Sequence, residues 1–322
     1  MRRGTGLGRV VPTRALVAAM LLVACATSTF AQAWVLPAGA GSVTVSFQNL
    51  DYSGHFVTDG EFFDVGTSVH NRVDIDVDLA VTDRLSIAVG IPFVFARYTD
   101  SEPLPPFVPF LPVDDCRCWQ SGWQDLGFAA RYNLVSGAFG LTPSVSVGMP
   151  SHAYNFHGEA ALGERLKELR IAVDAGQRLD VISPRLSVQG RYSYAFVEQV
   201  LDDVPIDRSN MALEGEYLFT RRLAGRAMLT WQRVHGGLRL GSGSGDPFFP
   251  PGEVNSPERL FEHDRLLRDN NFRIGTSVAY SFDRMDVFFS YFELLRGHDS
   301  HGGRAITAGV SWPFEIRSRP AP

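Results

Sequence analysis

Residues 69–81 read VHNRVDIDVDLAV, and this stretch decides the fold class. The odd positions from 73 to 79 are all aliphatic, whereas the even positions from 72 to 78 are all Arg or Asp. Successive side chains of a β-strand point to opposite faces of the sheet. The stretch therefore predicts a strand with one apolar face and one charged face.

The same alternation recurs along the chain, so that twelve segments show it. In the opening segment the apolar residues Val43, Val45 and Phe47 stand at odd positions. Further along, the apolar residues Leu50 and Tyr52 stand at even positions, and this change predicts a β-bulge. An even number of alternating segments is typical of an antiparallel barrel. The segments are 42–52, 69–81, 85–96, 125–132, 139–149, 169–179, 186–196, 211–219, 223–232, 272–282, 285–291 and 306–314.

The apolar faces of these segments indicate a membrane rather than a soluble core. None of them carries Asp, Glu, Lys or Arg. A charge on the lipid side near mid-bilayer costs about 2–4 kcal/mol, so its absence is expected of a barrel wall. Most of the segments run to about 10–13 residues, which suits tilted membrane strands better than the roughly 5–6 residues common in soluble sheets. We predict an all-β fold, a transmembrane antiparallel up-and-down barrel of about 12 strands.

The connections between the segments alternate strictly between short and long. Bacterial outer-membrane barrels have short periplasmic turns and longer external loops, with both termini in the periplasm. The alternation therefore predicts the orientation as well as the fold. The short connections are 82–84, 133–138, 180–184, 220–222 and 283–284, and the long ones are 53–66, 99–121, 150–168, 198–209, 235–270 and 296–303.

The first 33 residues have the pattern of a secretory signal peptide. A basic region with no acidic residue precedes an apolar run over 15–26, and Ala31-Gln32-Ala33 offers a cleavage site before Trp34. We expect a signal peptide over 1–33, a barrel over 34–316 and a C-terminal tail over 317–322. An alternative is lipoprotein processing at Cys25, which follows Leu-Val-Ala.

Composition excludes two other classes of protein. Loss of the four arginines in the first 33 residues would lower the formal net charge from −5 to −9, which argues against a nucleic-acid partner. Beyond the predicted signal peptide no uninterrupted apolar stretch reaches about 20 residues, the length of a helical membrane span. The expected partners are outer-membrane lipid and a small-molecule solute, with the oligomeric state left open.

Five short motifs carry a family resemblance: LPAG at 36–39, TDRLS at 82–86, GIPF at 90–93, GWQDLG at 122–127 and VGMP at 147–150. With these the chain resembles the outer-membrane transporter-like proteins of the meta-pathway phenol degradation family over most of its mature length. The resemblance implies a small barrel that passes hydrophobic or aromatic compounds. It transfers no individual site residue.

The charged faces of the strands are the candidate lumen. The charges either pair across strands and fill a closed interior, or they line a narrow channel and set its selectivity. The channel is our leading hypothesis. The candidate lumen-lining residues are Arg72, Asp74, Asp76, Asp78, Asp125, Arg131, Arg170, Asp174, Arg178, Arg185, Arg191, Glu214, Glu216, Arg226, Arg273 and Asp286.

The loops contain two further candidate sites. Cys116 and Cys118 lie in a proline-rich loop and either form a short disulfide or stay unpaired, because two thiols alone lack the ligands of a zinc site. The spacing of His298 and His301 is compatible with a pair of metal ligands. Ser300 beside either histidine is the one compact candidate for a Ser–His catalytic pair. We nevertheless expect no metal, no cofactor and no enzymatic activity.

The longest loop is predicted to contain a short helix. Ser256 can cap it, Pro257 suits its first turn, and residues 258–269 favour helix. Leu260, Phe261 and Leu267 either fold inward as a constriction or pack on the barrel rim.

The sequence therefore predicts an outer-membrane channel for small, hydrophobic or aromatic compounds. The alternatives are a non-transporting structural or surface-interaction barrel and, less favoured, an outer-membrane enzyme.

Overall fold

The structure of the chain is a computed structural model that describes residues 33–63, 66–99, 118–158, 160–240 and 256–316. Residues 1–32 and 317–322 lie outside this part of the chain. The signal peptide, the alternative processing at Cys25 and the C-terminal tail therefore stay predictions.

The described chain is dominated by antiparallel β-strands that follow the alternating segments of the sequence. Apart from two short strands, each strand pairs with its neighbours in sequence order, and the first strand, Ala40–Phe56, also pairs with the last, Ser300–Glu315, so the sheet closes on itself. The strands are β1 Ala40–Phe56, β2 Phe62–Phe63, β3 Thr67–Ala80, β4 Leu85–Thr99, β5 Gln120–Trp123, β6 Asp125–Tyr132, β7 Phe139–Pro150, β8 Glu168–Arg178, β9 Leu186–Val197, β10 Ile206–Leu218, β11 Leu223–Gly236, β12 Asn270–Ser281, β13 Asp286–His298 and β14 Ser300–Glu315.

Two of these strands do not add to the circumference of the barrel. β2 pairs only with the end of β1, and β5 and β6 both pair with β4 along one line. Gln124 lies between β5 and β6, and its N–H donates to the carbonyl of Pro92 at 3.0 Å. The result is a closed antiparallel barrel of twelve strands, as predicted.

The outside of the barrel is apolar, as the alternation requires. Side chains such as Ile171 and Leu213 are about half exposed (54% and 51%) although they belong to regular strands. Soluble monomers rarely expose a continuous apolar belt of this kind, whereas a transmembrane barrel needs one for lipid contact.

The β-bulge predicted in β1 is wrong in its position, because the irregularity lies further along the strand. β1 pairs with β3 without a shift from Gly41 to Tyr52, and the register with β14 shifts only between Tyr52 and Gly54. Leu50 therefore has the same parity as Ser42 and lies on the inner face. Leu50 is apolar although it points inward, because the side chains that it packs against inside the barrel are themselves apolar.

The strands at the long-loop end extend beyond their apolar segments. The predicted long loop over 296–303 is reduced to Asp299 alone, between the end of β13 and the start of β14. Asp299 adopts a positive φ of 51°, a conformation that Asp tolerates better than most residues. Backbone pairing continues past the apolar zone because it does not depend on the side chains.

The predicted helix is present as α1, Pro257–Leu266. The hydroxyl oxygen of Ser256 accepts a hydrogen bond from the N–H of Arg259 at 3.2 Å and caps its first turn. The helix ends earlier than predicted because the carbonyl of Leu266 and the N–H of Arg268 pair with Leu238. Among the described residues no helix is long and apolar enough to cross a membrane.

Candidate functional site

The barrel interior contains a central cavity of about 540 Å³ with charged walls. On one side the wall is built from small residues such as Ala88, Gly90 and Ala129, which leave room between the charged groups. Of the predicted lumen residues, those that line the cavity are Arg72, Asp74, Asp76, Asp125, Arg170, Arg191 and Arg273.

Most of these charges have a partner on the inner surface. Arg72 pairs with Asp74 at 2.6 Å, and Arg170 pairs with Glu168 at 2.6 Å. Arg273 is different, because no carboxylate among the described residues lies within salt-bridge distance of it. The cavity therefore offers a guanidinium group that is available to a solute.

Two further pairs of predicted charges lie nearer the short-turn end of the barrel. Asp78 pairs with Arg131, whose guanidinium also donates to the Ser86 hydroxyl at 3.2 Å. The buried carboxylate of Asp174 lies 3.8 Å from the guanidinium of Arg191. In each pair the two charged groups neutralise each other inside the barrel.

Arg226 is the centre of the most buried network in the lumen. It lies 2.7 Å from the carboxylate of Glu216 and 3.6 Å from that of Glu214, which also accepts a hydrogen bond from Gln189 at 2.9 Å. Arg226 and Glu214 are only 6% and 2% exposed, so each depends on the other for compensation of its charge. Asp286 is also buried at the short-turn end.

Two of the predicted lumen residues lie at the margin of the barrel instead. Arg178 and Arg185 are exposed at the short-turn end, and their guanidinium groups donate to the carbonyls of Gly137 and Phe219 at 3.3 Å. Neither residue lines the central cavity. Arg178 is the last residue of β8 and Arg185 directly precedes β9, and at strand ends alternation no longer determines the direction of a side chain.

An apolar cluster inside the barrel was missed by the sequence reasoning. Met228, Phe292 and Ala305 form a buried cluster on three strands, and Leu50 packs against it. Phe292 lies so close to Gly275 that a Cβ there would come within 2.4 Å of its ring. The signal that could have found this cluster is an aromatic or aliphatic side chain at a position that alternation assigns to the charged inner face, paired with a glycine on the next strand.

The N-terminal segment narrows the short-turn end. The carbonyl of Ala33 accepts hydrogen bonds from Thr142 at 2.8 Å and Asn133 at 3.1 Å, both on the buried inner side. The indole N–H of Trp34 donates to the carbonyl of Gly137 at 3.1 Å, and the Arg178 guanidinium lies over its ring. The segment thus covers this opening of the barrel from inside.

A cap covers part of the long-loop end, and we define it as residues 151–158 and 160–167 together with α1. Tyr154 and Leu162 of the first segment pack on Val94 and Ala96, which belong to the inner face of β4. The hydroxyl of Tyr154 donates to Asp125 at 2.5 Å and accepts from the N–H of Arg165 at 2.7 Å. The loop is therefore folded into the mouth of the barrel rather than away from it.

The two parts of the cap are joined through an aromatic ring and a carboxylate. The ring of Phe156 has the guanidinium groups of Arg165 and Arg265 at 4.3 and 3.8 Å from its centre. The N–H of Gly158 donates to Asp264 at 2.7 Å. Burial opposes ionisation of Asp264, but His263 and these hydrogen bonds lower its pKa to about 2.

The residues predicted to form a constriction are divided between two environments. Phe261 lies against the rings of Phe156 and His157, whose centres are 5.9 and 3.9 Å away. Leu267 is buried against Val57 and Leu240. The side chain of Leu260 lies outside the described part of the structure.

A second cavity of about 290 Å³ lies beneath the cap. Tyr52, His70 and Phe156 line it, and Arg72 lines both this cavity and the central one. The two cavities therefore adjoin at Arg72, with the cap over the second cavity and the Trp34 segment at the other end of the barrel.

The loop candidates are not assembled into a catalytic or metal site. The Ser300 side chain is buried and its hydroxyl makes no hydrogen bond to a described residue, whereas His301 packs on the rings of His55 and Tyr52. In the described ranges no three His, Cys, Asp or Glu residues are placed to hold a metal ion. Cys118 is disulfide-bonded, while Cys116 lies outside the described residues.

Comparison with solved structures places the fold among outer-membrane barrels. The chain is similar to the COG4313 outer membrane channel from Pseudomonas putida F1, with 14% identity, a TM-score of 0.64 and coverage of 89% of this chain and 99% of that one. The likeness to the CymD monoaromatic hydrocarbon channel is weaker, with a TM-score of 0.45, 12% identity and coverage of 88% and 90%.

No known family profile and no curated protein matches the sequence. Membership in the phenol degradation family that the motifs resemble therefore stays a prediction, and the structural likeness describes the fold alone.

Proposed function

We propose that the chain is an outer-membrane channel for small organic molecules, inserted with its long-loop end toward the outside and its termini in the periplasm. The observation that carries this proposal is the pair of adjoining cavities inside a closed barrel whose outer surface is apolar. A channel needs a polar interior with room for a solute, and a barrel of about twelve strands is wide enough to retain one.

The lumen offers both apolar and charged lining residues, which favours a solute with one apolar and one polar end. Leu50, Val94 and Phe156, which line the second cavity, suit an aromatic or aliphatic body, whereas the guanidinium of Arg273 in the central cavity suits a carboxylate or another polar end group. We therefore favour small aromatic compounds with a polar or anionic substituent. This is narrower than the hydrophobic or aromatic class that the sequence predicts.

Liposome swelling with the purified, folded barrel tests the proposal directly. We expect faster entry of benzoate and benzyl alcohol than of a neutral sugar of similar size. Arg273→Gln should slow benzoate entry and leave benzyl alcohol unchanged, while the exposed turn variant Arg221→Gln serves as the matched control. Absence of permeation by any small solute would refute the channel.

The second candidate is a structural or surface-interaction barrel without transport. Its support is the presence of the Trp34 segment at one end of the lumen and the cap at the other, together with the buried network around Arg226. Single-channel recording separates the two functions, since a structural barrel should conduct no ions even after the cap has been released by mutation.

A further inference from the structure

Ala33, which lies outside the strands, is held inside the short-turn end of the barrel through both of its backbone polar groups. The residue is fully buried. Its carbonyl accepts hydrogen bonds from the hydroxyl of Thr142 at 2.8 Å and from the side-chain amide of Asn133 at 3.1 Å. Its N–H donates to the side-chain carbonyl of Gln189 at 3.4 Å. The barrel wall therefore satisfies the hydrogen bonds of a residue that precedes the first strand.

The polar partners of Ala33 are themselves enclosed. Thr142 and Asn133 are 0% and 3% exposed, and the Asn133 amide also donates to the Thr142 hydroxyl at 2.8 Å. Gln189 donates in turn to the buried carboxylate of Glu214 at 2.9 Å. A buried polar group that loses its partner keeps the penalty of its desolvation. Loss of Ala33 would leave the Thr142 hydroxyl without the acceptor to which it now donates.

Two glycines provide the space for Ala33 and Trp34. Gly140 of β7 and Gly176 of β8 are paired across the two strands. A Cβ at Gly140 would come within 2.5 Å of the Ala33 carbonyl oxygen, and one at Gly176 within 2.6 Å of the Ala33 Cβ and of the Trp34 ring. Neither glycine has a positive φ, so the backbone alone does not require glycine there. Room for Ala33 and Trp34 is the reason for this pair.

These contacts bear on the place where the exported chain is cut. Cleavage after Ala33, which the small residues Ala31 and Ala33 predict, would remove the residue that this site holds. Thr29-Phe30-Ala31 also has small residues at its first and third positions, and a cut after it keeps Ala33. Ala24-Cys25-Ala26 belongs to the apolar run over 15–26, which leaves no spacer between that run and the cut.

We propose that the signal peptide is cleaved after Ala31, so that the mature chain begins at Gln32 and Ala33 fixes its amino terminus inside the barrel. The cut then lies two residues before the position that the Ala-Gln-Ala pattern predicts. The inference goes beyond the proposed channel, because it rests on export and on the fold and not on transport.

Processing of the full-length chain in a Gram-negative host tests the position of the cut. Mass spectrometry of the amino-terminal peptide of the purified outer-membrane protein should show Gln32 as the first residue. Ala33→Leu should be processed as the wild type is, because Ala33 lies beyond the cut. Ala31→Leu, the positive control, should accumulate precursor at least tenfold, since it replaces the small residue at the cut. Pulse labelling measures processing before the barrel folds, so a folding defect does not obscure either result.

A mature chain that begins at Trp34 would overturn the proposal. Accumulation of the Ala33→Leu precursor would overturn it as well, because a cut after Ala33 requires a small residue there. A lipid-modified chain that begins at Cys25 would have the same consequence.

The hold on the amino terminus is tested separately with the purified, folded barrel. Gly176→Ala places a methyl group against Ala33 and Trp34, so chymotrypsin should cut after Trp34 about tenfold faster than in the wild type, because the released segment is open more often. Gly148→Ala is the matched control: it lies on the inner face of β7, where an added Cβ meets its nearest atom at 3.8 Å. Equal rates in the two variants would overturn the hold on Ala33. A barrel that conducts no solute would refute the channel and leave this proposal intact.

Discussion

The backbone N–H of Gly158 donates a hydrogen bond of 2.7 Å to the carboxylate of Asp264, which lies 106 residues further along the chain. This contact joins the loop segment that contains Gly158 to α1 and makes the cap one unit. Asp264 also lies 2.9 Å from the imidazole of His263. Because the cap covers the second cavity, its stability should set access to the lumen from the long-loop end.

Replacement of the Asp264 carboxylate should open the cap. Asp264→Asn removes a charge-assisted hydrogen bond, which contributes about 1.5–3 kcal/mol, so the open state should become at least tenfold more populated. Single-channel recording should show a higher open probability at neutral pH. Glu258→Gln, an exposed change on the same helix, is the control. An unchanged open probability in Asp264→Asn would mean that the cap does not limit conductance.

Acidification should open the cap through the same residue. The pKa of Asp264 lies at about 2 in the folded cap against an ordinary value of 3.8. A carboxyl group with a lowered pKa stabilises the folded state above its ordinary pKa, and this contribution is lost as the pH falls through the folded pKa. Conductance should therefore rise between about pH 4 and pH 2. In Asp264→Asn this rise should be absent, and its persistence would assign it to another group.

Removal of one partner from the buried lumenal network should destabilise the barrel strongly. Arg226→Met leaves Glu214 buried without its counter-charge, which costs about 3–5 kcal/mol. The exposed pair Arg222–Asp283, at 2.9 Å in a short-turn region, provides the contrast. Arg222→Met should cost no more than about 1 kcal/mol. Urea unfolding followed by tryptophan fluorescence measures both, and equal costs would contradict the buried network.

A charge on the outer face should reveal lipid contact. Leu213 lies mid-strand on the outer face of β10, and Leu213→Arg should cost about 2–4 kcal/mol when the barrel is folded into bilayers. Val181 is fully exposed in a short turn, so Val181→Arg should change stability by no more than about 0.5 kcal/mol. Reversible folding into phospholipid vesicles gives both values. A negligible cost at Leu213 would argue against a membrane-embedded wall.

Local patterns in the sequence determined the fold. The alternation over 69–81 depends only on the two-residue period of a strand, so it could be recognised without knowledge of any partner strand. The alternating loop lengths, and Ser256 as the residue that caps the first turn of α1, are equally local signals. For this reason the twelve-strand barrel and α1 agree with the structure, while strand ends and the position of the bulge in β1 do not.

The tertiary structure decided the interior. Alternation indicates that Arg226 points to one face, but only the register with β10 shows that Glu214 and Glu216 surround it. Leu50 and Phe292 are apolar and share the lumenal parity, and their contact depends on strand closure across β14. The cap likewise joins residues far apart in the chain. Such contacts depend on the closure of the barrel and on the folding of long loops back into its mouth, and no local sequence period encodes either of these.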